Sequence, residues 1–210
     1  MPLSRSLAIL SLGLITLCSV GFADTFSFGI DPNGATDPNP DTELQETFTT
    51  GSHTIIVYGF DNNGASPLFF KNNGGDETGI GLAGGGSDHE VGTPNFLQIT
   101  GSGIASVTIG SIQSGEEWAI YGSNALGTSE VGVAANLIAS GTGGGTATDV
   151  PLTGNYAYYT IYSPKGDILL DSAKTGTSRV PEPRTTSLLM TMGLVGLFAF
   201  GGRKLGKFSA

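Results

Sequence analysis

Tyrosines near the C-terminal end of the chain are the first residues whose type and spacing could support binding chemistry. The segment "NYAYYTIY" places Tyr156, Tyr158 and Tyr162 at even spacing, so that a strand would carry their rings on one face. Exposed aromatic rings on a sheet can stack against sugars, although tyrosine also favours ordinary half-buried strands. We therefore take these three tyrosines as candidate ligand-binding residues, with plain strand packing as the alternative.

Acidic side chains in two segments offer oxygen ligands that suit calcium. "DPNPDTE" alternates such residues from Asp37 to Glu43, but the turn glycine and the terminal glutamate of an EF-hand are missing. A second acidic group surrounds "GIGLAGGG". Solvated turns and loops are the alternative for both groups. The candidate calcium ligands are Asp37, Asn39, Asp41, Asp76, Asp88 and Glu90.

Other catalytic motifs are weak or missing in the sequence. "GIGLAG", residues 79–84, matches a phosphate-loop pattern, but acidic, loop-like segments flank it, so a flexible glycine loop is predicted. In "SDHEVG" a strand would turn His89 away from Asp88 and Glu90, which argues against one metal bound by all three, whereas a loop would allow it. There is no G-x-S-x-G or H-E-x-x-H motif, and we predict that the protein is not an enzyme.

Composition narrows the class of protein further. The chain has 210 residues and 34 glycines, with 13% charged residues. Between Asp24 and Arg179 there are 17 acidic and 4 basic residues, a difference of −13, so nucleic acid is not an expected partner. Cys18 is the only cysteine, and it lies in the apolar N-terminal segment.

The middle of the chain predicts one all-β domain over residues 24–175, an antiparallel, jelly-roll-like β-sandwich. Short β-branched and aromatic runs end in clusters such as "NNG", whereas "TELQETF" could form one or two helical turns. "IASVTIGSI" would alternate Ala105, Val107 and Ile109 with small and polar residues. The other predicted strands are "HTIIVYGF", "SPLFFKNN", "NFLQIT", "EEWAIYGSN", "YAYYTIYSP" and "GDILLDS". Core candidates are Val57, Phe96, Leu97, Ile109, Trp118, Ile120, Tyr159 and Ile161.

The N-terminus has the pattern of a secretory signal peptide over residues 1–23. Arg5 precedes the apolar run "LAILSLGLITLC", and small residues follow in "SVGFA". We predict that signal peptidase cuts between Ala23 and Asp24. Lipidation at Cys18 is disfavoured because Leu17 stands where a small residue is needed.

The C-terminus combines a proline motif, an apolar span and a basic end. Residues 185–202 are uncharged and would span about 27 Å as a single transmembrane helix. Basic residues after such a span stay in the cytoplasm, so the all-β domain, the body of the protein, is expected on the other side of the membrane. The prolines of "VPEP" make that motif stiff and extended, after a polar spacer at 176–179. A buried core helix and a permanent anchor are the alternatives.

In this order the segment at 180–207 resembles the PEP-CTERM sorting signal. The resemblance rests on Val180, Pro181, Glu182 and Pro183, and on Arg203 and Lys204 after the apolar span. It implies recognition by an exosortase, removal of the membrane-held tail, and release or transfer of the body to the cell envelope or the exopolysaccharide matrix. It names a destination and leaves the activity of the body open.

Three functions remain after these observations. The first is a structural or adhesive protein of the envelope or exopolysaccharide matrix. The second is a lectin-like carbohydrate-binding module, with calcium as its candidate ligand. The third, a polysaccharide hydrolase, is disfavoured by the small body and the loop placement of its carboxylates.

Overall fold

The computed structural model describes residues 23–32 and 43–176, which belong to one compact unit. These residues are all-β and form two antiparallel sheets, with a 3₁₀ turn at Ala134–Asn136. The strands are β1 Thr25–Ser27, β2 Gln45–Thr50, β3 His53–Asp61, β4 Gly64–Ala65, β5 Leu68–Asn72, β6 Thr78–Leu82, β7 Val91–Gly92, β8 Phe96–Gly101, β9 Ile104–Ile112, β10 Glu117–Ser123, β11 Leu137–Thr142, β12 Gly145–Pro151, β13 Tyr158–Lys165 and β14 Asp167–Thr175.

The first sheet has the order β12-β9-β14-β6-β5, and β1 and β7 also pair with β14. The second sheet has the order β11-β10-β13-β8-β3-β2, and β4 pairs with β3. Because β13 and β14 follow each other in sequence but lie in different sheets, the chain crosses between the sheets at Gly166, whose φ of 79° favours glycine.

One hydrophobic cluster draws on both sheets. Ile109 and Leu170 contribute from the first sheet, and Leu97 and Ile161 from the second, all fully buried. Six predicted core residues belong to this cluster: Val57, Leu97, Ile109, Ile120, Tyr159 and Ile161. Trp118 is half-buried at its margin. Phe96 is buried outside the cluster, where it stacks on Phe60.

All seven predicted strands are confirmed, and two predictions about local structure were wrong. "TELQETF" forms no helix: Glu46 and Phe48 are buried while their neighbours in β2 are exposed, which is the alternation of a strand. "GIGLAG" is no flexible loop, because Thr78–Leu82 forms the buried strand β6. Two sheet neighbours override the flexibility of its glycines, since β6 pairs with β5 and β14.

The two ends of the described unit are adjacent. The Asp24 backbone N–H donates to the Thr175 hydroxyl over 3.0 Å, and the Thr175 N–H donates to the Asp24 carbonyl over 3.0 Å. The Asp24 carboxylate also lies 2.7 Å from Nδ1 of His53. Within the described residues no helix has the length and apolarity to cross a membrane, and the predicted span 185–202 lies outside them.

Candidate functional site

The outer face of the second sheet, directed away from the core, carries a tyrosine pair. Tyr58 on β3 and Tyr158 on β13 are both half-buried, with ring centroids 6.3 Å apart in an edge-to-face arrangement. Strand β8 lies between them, and it places the Thr100 side chain beside the pair, where the hydroxyl donates to the Ala157 carbonyl. We call Tyr58, Tyr158 and Thr100 the tyrosine face. Aromatic rings beside hydroxyl groups can stack against a sugar and hydrogen-bond it.

The three predicted tyrosines do not share one face. Tyr156 precedes β13, and its ring packs against the core and against Tyr159 at a centroid distance of 6.3 Å. Gly122 provides the room, since a Cβ there would lie 2.2 Å from the Tyr156 ring. Tyr162 shares the outer face with Tyr158, but its hydroxyl is 3.1 Å from the Thr93 hydroxyl.

A loop lies across the same outer face, with its anchor in register with Thr160, which stands between Tyr158 and Tyr162 on β13. This is loop 124–133, which follows β10 and is anchored by the fully buried side chain of Gln98. The Gln98 amide nitrogen donates to the Thr128 carbonyl over 2.8 Å, and its oxygen accepts from the Gly127 N–H over 2.7 Å. Gly127 also lies next to the ring of Phe60, so the loop lies over the stacked pair of Phe60 and Phe96.

A second loop lies over part of the outer face of the first sheet, at β5 and β6. Loop 83–90 connects β6 to β7 and folds back so that the His89 carbonyl accepts from the Leu82 N–H over 2.9 Å. This close return requires Gly81, because a Cβ there would lie 1.9 Å from the His89 carbonyl oxygen. The His89 ring stacks on Phe69 of β5, at a centroid distance of 4.2 Å.

Loop 83–90 ends on a buried charged group, which we call the Lys71 cluster: Lys71, Glu77, Glu90 and Ser111. The Lys71 ammonium contacts Oε1 of Glu90 directly and lies 2.5 Å from Oε2 of Glu77. The Ser111 hydroxyl is 2.8 Å from the Glu77 carboxylate and 2.9 Å from Oε1 of Glu90. Oε2 of Glu90 is buried and has no hydrogen-bond partner among the described residues.

The pKa values of the three ionisable groups in the Lys71 cluster are shifted in different ways. Burial raises the pKa of Glu90 to about 7, although Lys71 and Ser111 oppose the shift. The hydrogen bond from Lys71 lowers the pKa of Glu77. Burial alone would lower the pKa of Lys71, but hydrogen bonds to both carboxylates outweigh it and raise that pKa. The arrangement therefore stabilises a protonated Glu90 beside an ionised Glu77.

The calcium candidates are placed as follows. Asp37, Asn39 and Asp41 lie outside the described residues. Asp76 and Asp88 are exposed, and Glu90 is in contact with Lys71, whose positive charge lies next to the carboxylate that would bind a cation. Across residues 23–32 and 43–176, no three His, Cys, Asp or Glu side chains are grouped so as to hold a metal. Calcium binding stays a prediction.

Another buried carboxyl group lies on β2. Burial raises the pKa of Glu46 to about 7, and the nearby Glu43 and Asp31 raise it further, against the Thr47 N–H that lowers it. Asp31, one of the groups that raise this pKa, lines a hollow of about 310 Å³ together with Phe26, Ile30 and Phe48. The neighbours of Glu46 are carboxyl groups, whereas Glu90 is in contact with a lysine.

Two residue groups of these sites were not foreseen in the sequence. Tyr58 sits in a run read only as a strand, and its pairing with Tyr158 depends on strands 100 residues apart in the chain. Lys71 carries one usable signal, since it is a rare cation at the end of the apolar run "PLFF". A charged residue at the end of a buried apolar strand indicates a buried ionic partner.

Comparison with known proteins adds no assignment: no protein-family model, curated protein or solved structure matches the chain.

Proposed function

We propose that this is an exported protein of the cell envelope or exopolysaccharide matrix, whose C-terminal PEP-CTERM signal is processed by an exosortase. The observation that carries the proposal is the ordered set of Val180–Pro183, the uncharged span 185–202 and Arg203–Lys204, in a chain that begins with a signal-peptide pattern. The body is a jelly-roll-like sandwich of structural or adhesive type.

The described unit supports this route in one respect. Signal peptide and sorting signal would both join the body at one edge, because Asp24 and Thr175 pair with each other. Cutting both segments away would leave this pairing intact. The body would therefore keep its fold after export and release, with no need for a disulfide.

Intact-mass measurement of the protein from a host with and without its exosortase tests the proposal. We expect the secreted form to begin at Asp24 and to lack the span 185–202, and we expect the exosortase-deficient host to retain the span in its membrane fraction. The double variant Pro181→Ala, Pro183→Ala should behave like the exosortase deletion. A matched control is Thr186→Ala, which leaves the motif and its charges intact. Secreted protein that keeps the whole tail in both hosts would refute the proposal.

A second function is carbohydrate binding at the tyrosine face. The observation that favours it is the half-buried Tyr58–Tyr158 pair beside the Thr100 hydroxyl, on a sheet face away from the core. The ligand class would be a neutral or cationic polysaccharide, since the acidic body repels polyanions.

Glycan-array binding of the secreted protein tests this second function. Alanine at Tyr58 or Tyr158 should reduce binding by about two- to tenfold, as loss of a stacking ring costs about 0.5–1.5 kcal/mol. Tyr162→Ala, outside the tyrosine face, is the matched control and should bind normally. An EDTA arm separates calcium-dependent from calcium-independent binding. If no glycan binds the wild-type protein, only the structural or adhesive role remains.

A further inference from the structure

We propose that the Lys71 cluster is the site of an intramolecular amide bond, formed between Nζ of Lys71 and Cδ of Glu90 with loss of water. The bond would covalently tie loop 83–90 to strand β5. It is independent of the sorting route and of the glycan hypothesis, because it concerns only residues of the folded body.

The geometry brings the two reacting groups together and shields them from water. Lys71 Nζ is in direct contact with the Glu90 carboxyl group, and the Glu90 side chain is 2% exposed. Gly81 and Gly85 hold the loop close to the sheet, since a Cβ at either would lie 1.9 Å from a backbone oxygen of His89 or Glu90. Both groups are thereby fixed in position, which lowers the entropic part of the barrier.

The protonation states also fit an amide-forming condensation. The Ser111 hydroxyl has one proton but lies within hydrogen-bond distance of both Glu77 and Glu90. Both contacts are satisfied when Glu90 is protonated on Oε1 and donates to Ser111, which in turn donates to Glu77. Burial favours this neutral Glu90, because Oε2 is buried without a partner in either state and an unpartnered neutral carbonyl oxygen costs less to bury than an unpartnered carboxylate oxygen.

Glu77 is the base and then the acid of the reaction. Its carboxylate, 2.5 Å from Nζ, takes one proton from the Lys71 ammonium. The neutral nitrogen attacks Cδ of Glu90, and the C–N bond forms as the C–Oε1 bond breaks. Glu77, directly or through Ser111, protonates the departing Oε1 hydroxyl, which leaves as water. The nitrogen returns its surplus proton to Glu77, so that charge and atoms balance. The raised pKa of Lys71 and the lowered pKa of Glu77 make this proton transfer unfavourable, so we expect the bond to form slowly.

Mass spectrometry of the intact, denatured wild-type protein tests whether the bond is present. The measured mass should be one water below that of its own processed sequence. Trypsin should not cut after Lys71, because it requires a free lysine side chain, and fragmentation should place the link between Lys71 and Glu90. Lys174 is the internal control: it pairs with Asp149 over 2.6 Å on the surface and should be cut normally.

Variants identify the chemistry. Lys71→Arg should restore the full sequence mass, and Glu77→Gln should slow or abolish the mass loss by removing the base. Glu90→Gln should still cross-link but lose one ammonia in place of one water. Wild-type protein that has the full sequence mass and is cut after Lys71 would overturn the proposal, and so would a water loss that fragmentation locates elsewhere.

Discussion

A loop lies across part of the outer face of each sheet, but the two loops are anchored by opposite means. Loop 124–133 is held by the neutral Gln98 amide, which exchanges hydrogen bonds with backbone groups of the loop. Loop 83–90 is held by the charged Lys71 cluster, where one lysine serves two carboxyl groups. An amide anchor costs little to bury because its partners are neutral, whereas a charged anchor is favourable only with every partner in place. The two loops should therefore respond very differently to the loss of one side chain.

The largest expected effect is at the charged anchor. Lys71→Met removes the link to loop 83–90, whether that link is the ion pair with Glu90 or the proposed amide, and should destabilise the fold by about 3–5 kcal/mol. Urea denaturation measures the change. Lys174→Met, which removes an exposed ion pair with Asp149, is the matched control and should cost less than about 1 kcal/mol. Equal losses in the two variants would show that the Lys71 cluster stabilises the fold no more than a surface ion pair does.

The next largest effect is the loss of stability expected when a side chain is added where loop 83–90 packs against β6. Gly81→Ala places a Cβ against the backbone of His89, and overpacking of this kind costs about 1–3 kcal/mol. Gly84→Ala is the control in the same loop region, because its nearest neighbour would be the Ser66 hydroxyl at 3.5 Å, an ordinary contact. Thermal denaturation should lower the melting temperature of the first variant only. A stable Gly81→Ala protein would show that the loop does not need this close return.

At the neutral anchor we expect a smaller and more local effect. Gln98→Leu leaves the Gly127 N–H and the Thr128 carbonyl without their partner, which costs about 1–2 kcal/mol. Hydrogen exchange should accelerate at the Gly127 amide, with little change in loop 83–90. Gln45→Leu, on the exposed edge strand β2, is the control. Faster exchange throughout the sheet would mean that Gln98 supports the whole fold and not only its loop.

The smallest expected effect concerns the pH dependence of unfolding that Glu46 contributes. Its neighbours are carboxyl groups, whereas Glu90 contacts a lysine. The pKa of Glu46 is raised to about 7, so between its unfolded value near 4.5 and 7 the folded state binds more protons than the unfolded state. This contribution therefore lowers stability as the pH rises through that window. Glu46→Gln should flatten the pH dependence of unfolding between pH 5 and 7, as seen in urea titrations. Asp76→Asn, which removes an exposed carboxyl that is not among the groups raising the pKa of Glu46, is the control and should change the slope less. An unchanged slope in Glu46→Gln would contradict the assignment.

Local sequence determined the strands of this protein and most of its core. Alternation and β-branched runs are properties of neighbouring residues, and a strand needs only a sheet to join, so all seven predicted strands exist and six of eight core candidates lie in the central cluster. Local sequence gave the wrong prediction at "GIGLAG", where the glycines suggested a flexible loop and the structure has strand β6. There the glycines provide room for loop 83–90 and for β14, a reason that neighbouring residues do not reveal.

Only the tertiary structure decided which side chains meet. Tyr158 faces Tyr58 and not Tyr156 because β13 begins at Tyr158, so the even spacing stops at the end of the strand. Lys71, Glu77, Glu90 and Ser111 come from four segments, and their contacts arise because loop 83–90 folds back over the first sheet. The signal peptide and sorting signal predicted at the two ends are the converse case. They consist of charge, proline and hydropathy in fixed order along the chain, so the sequence alone carries them.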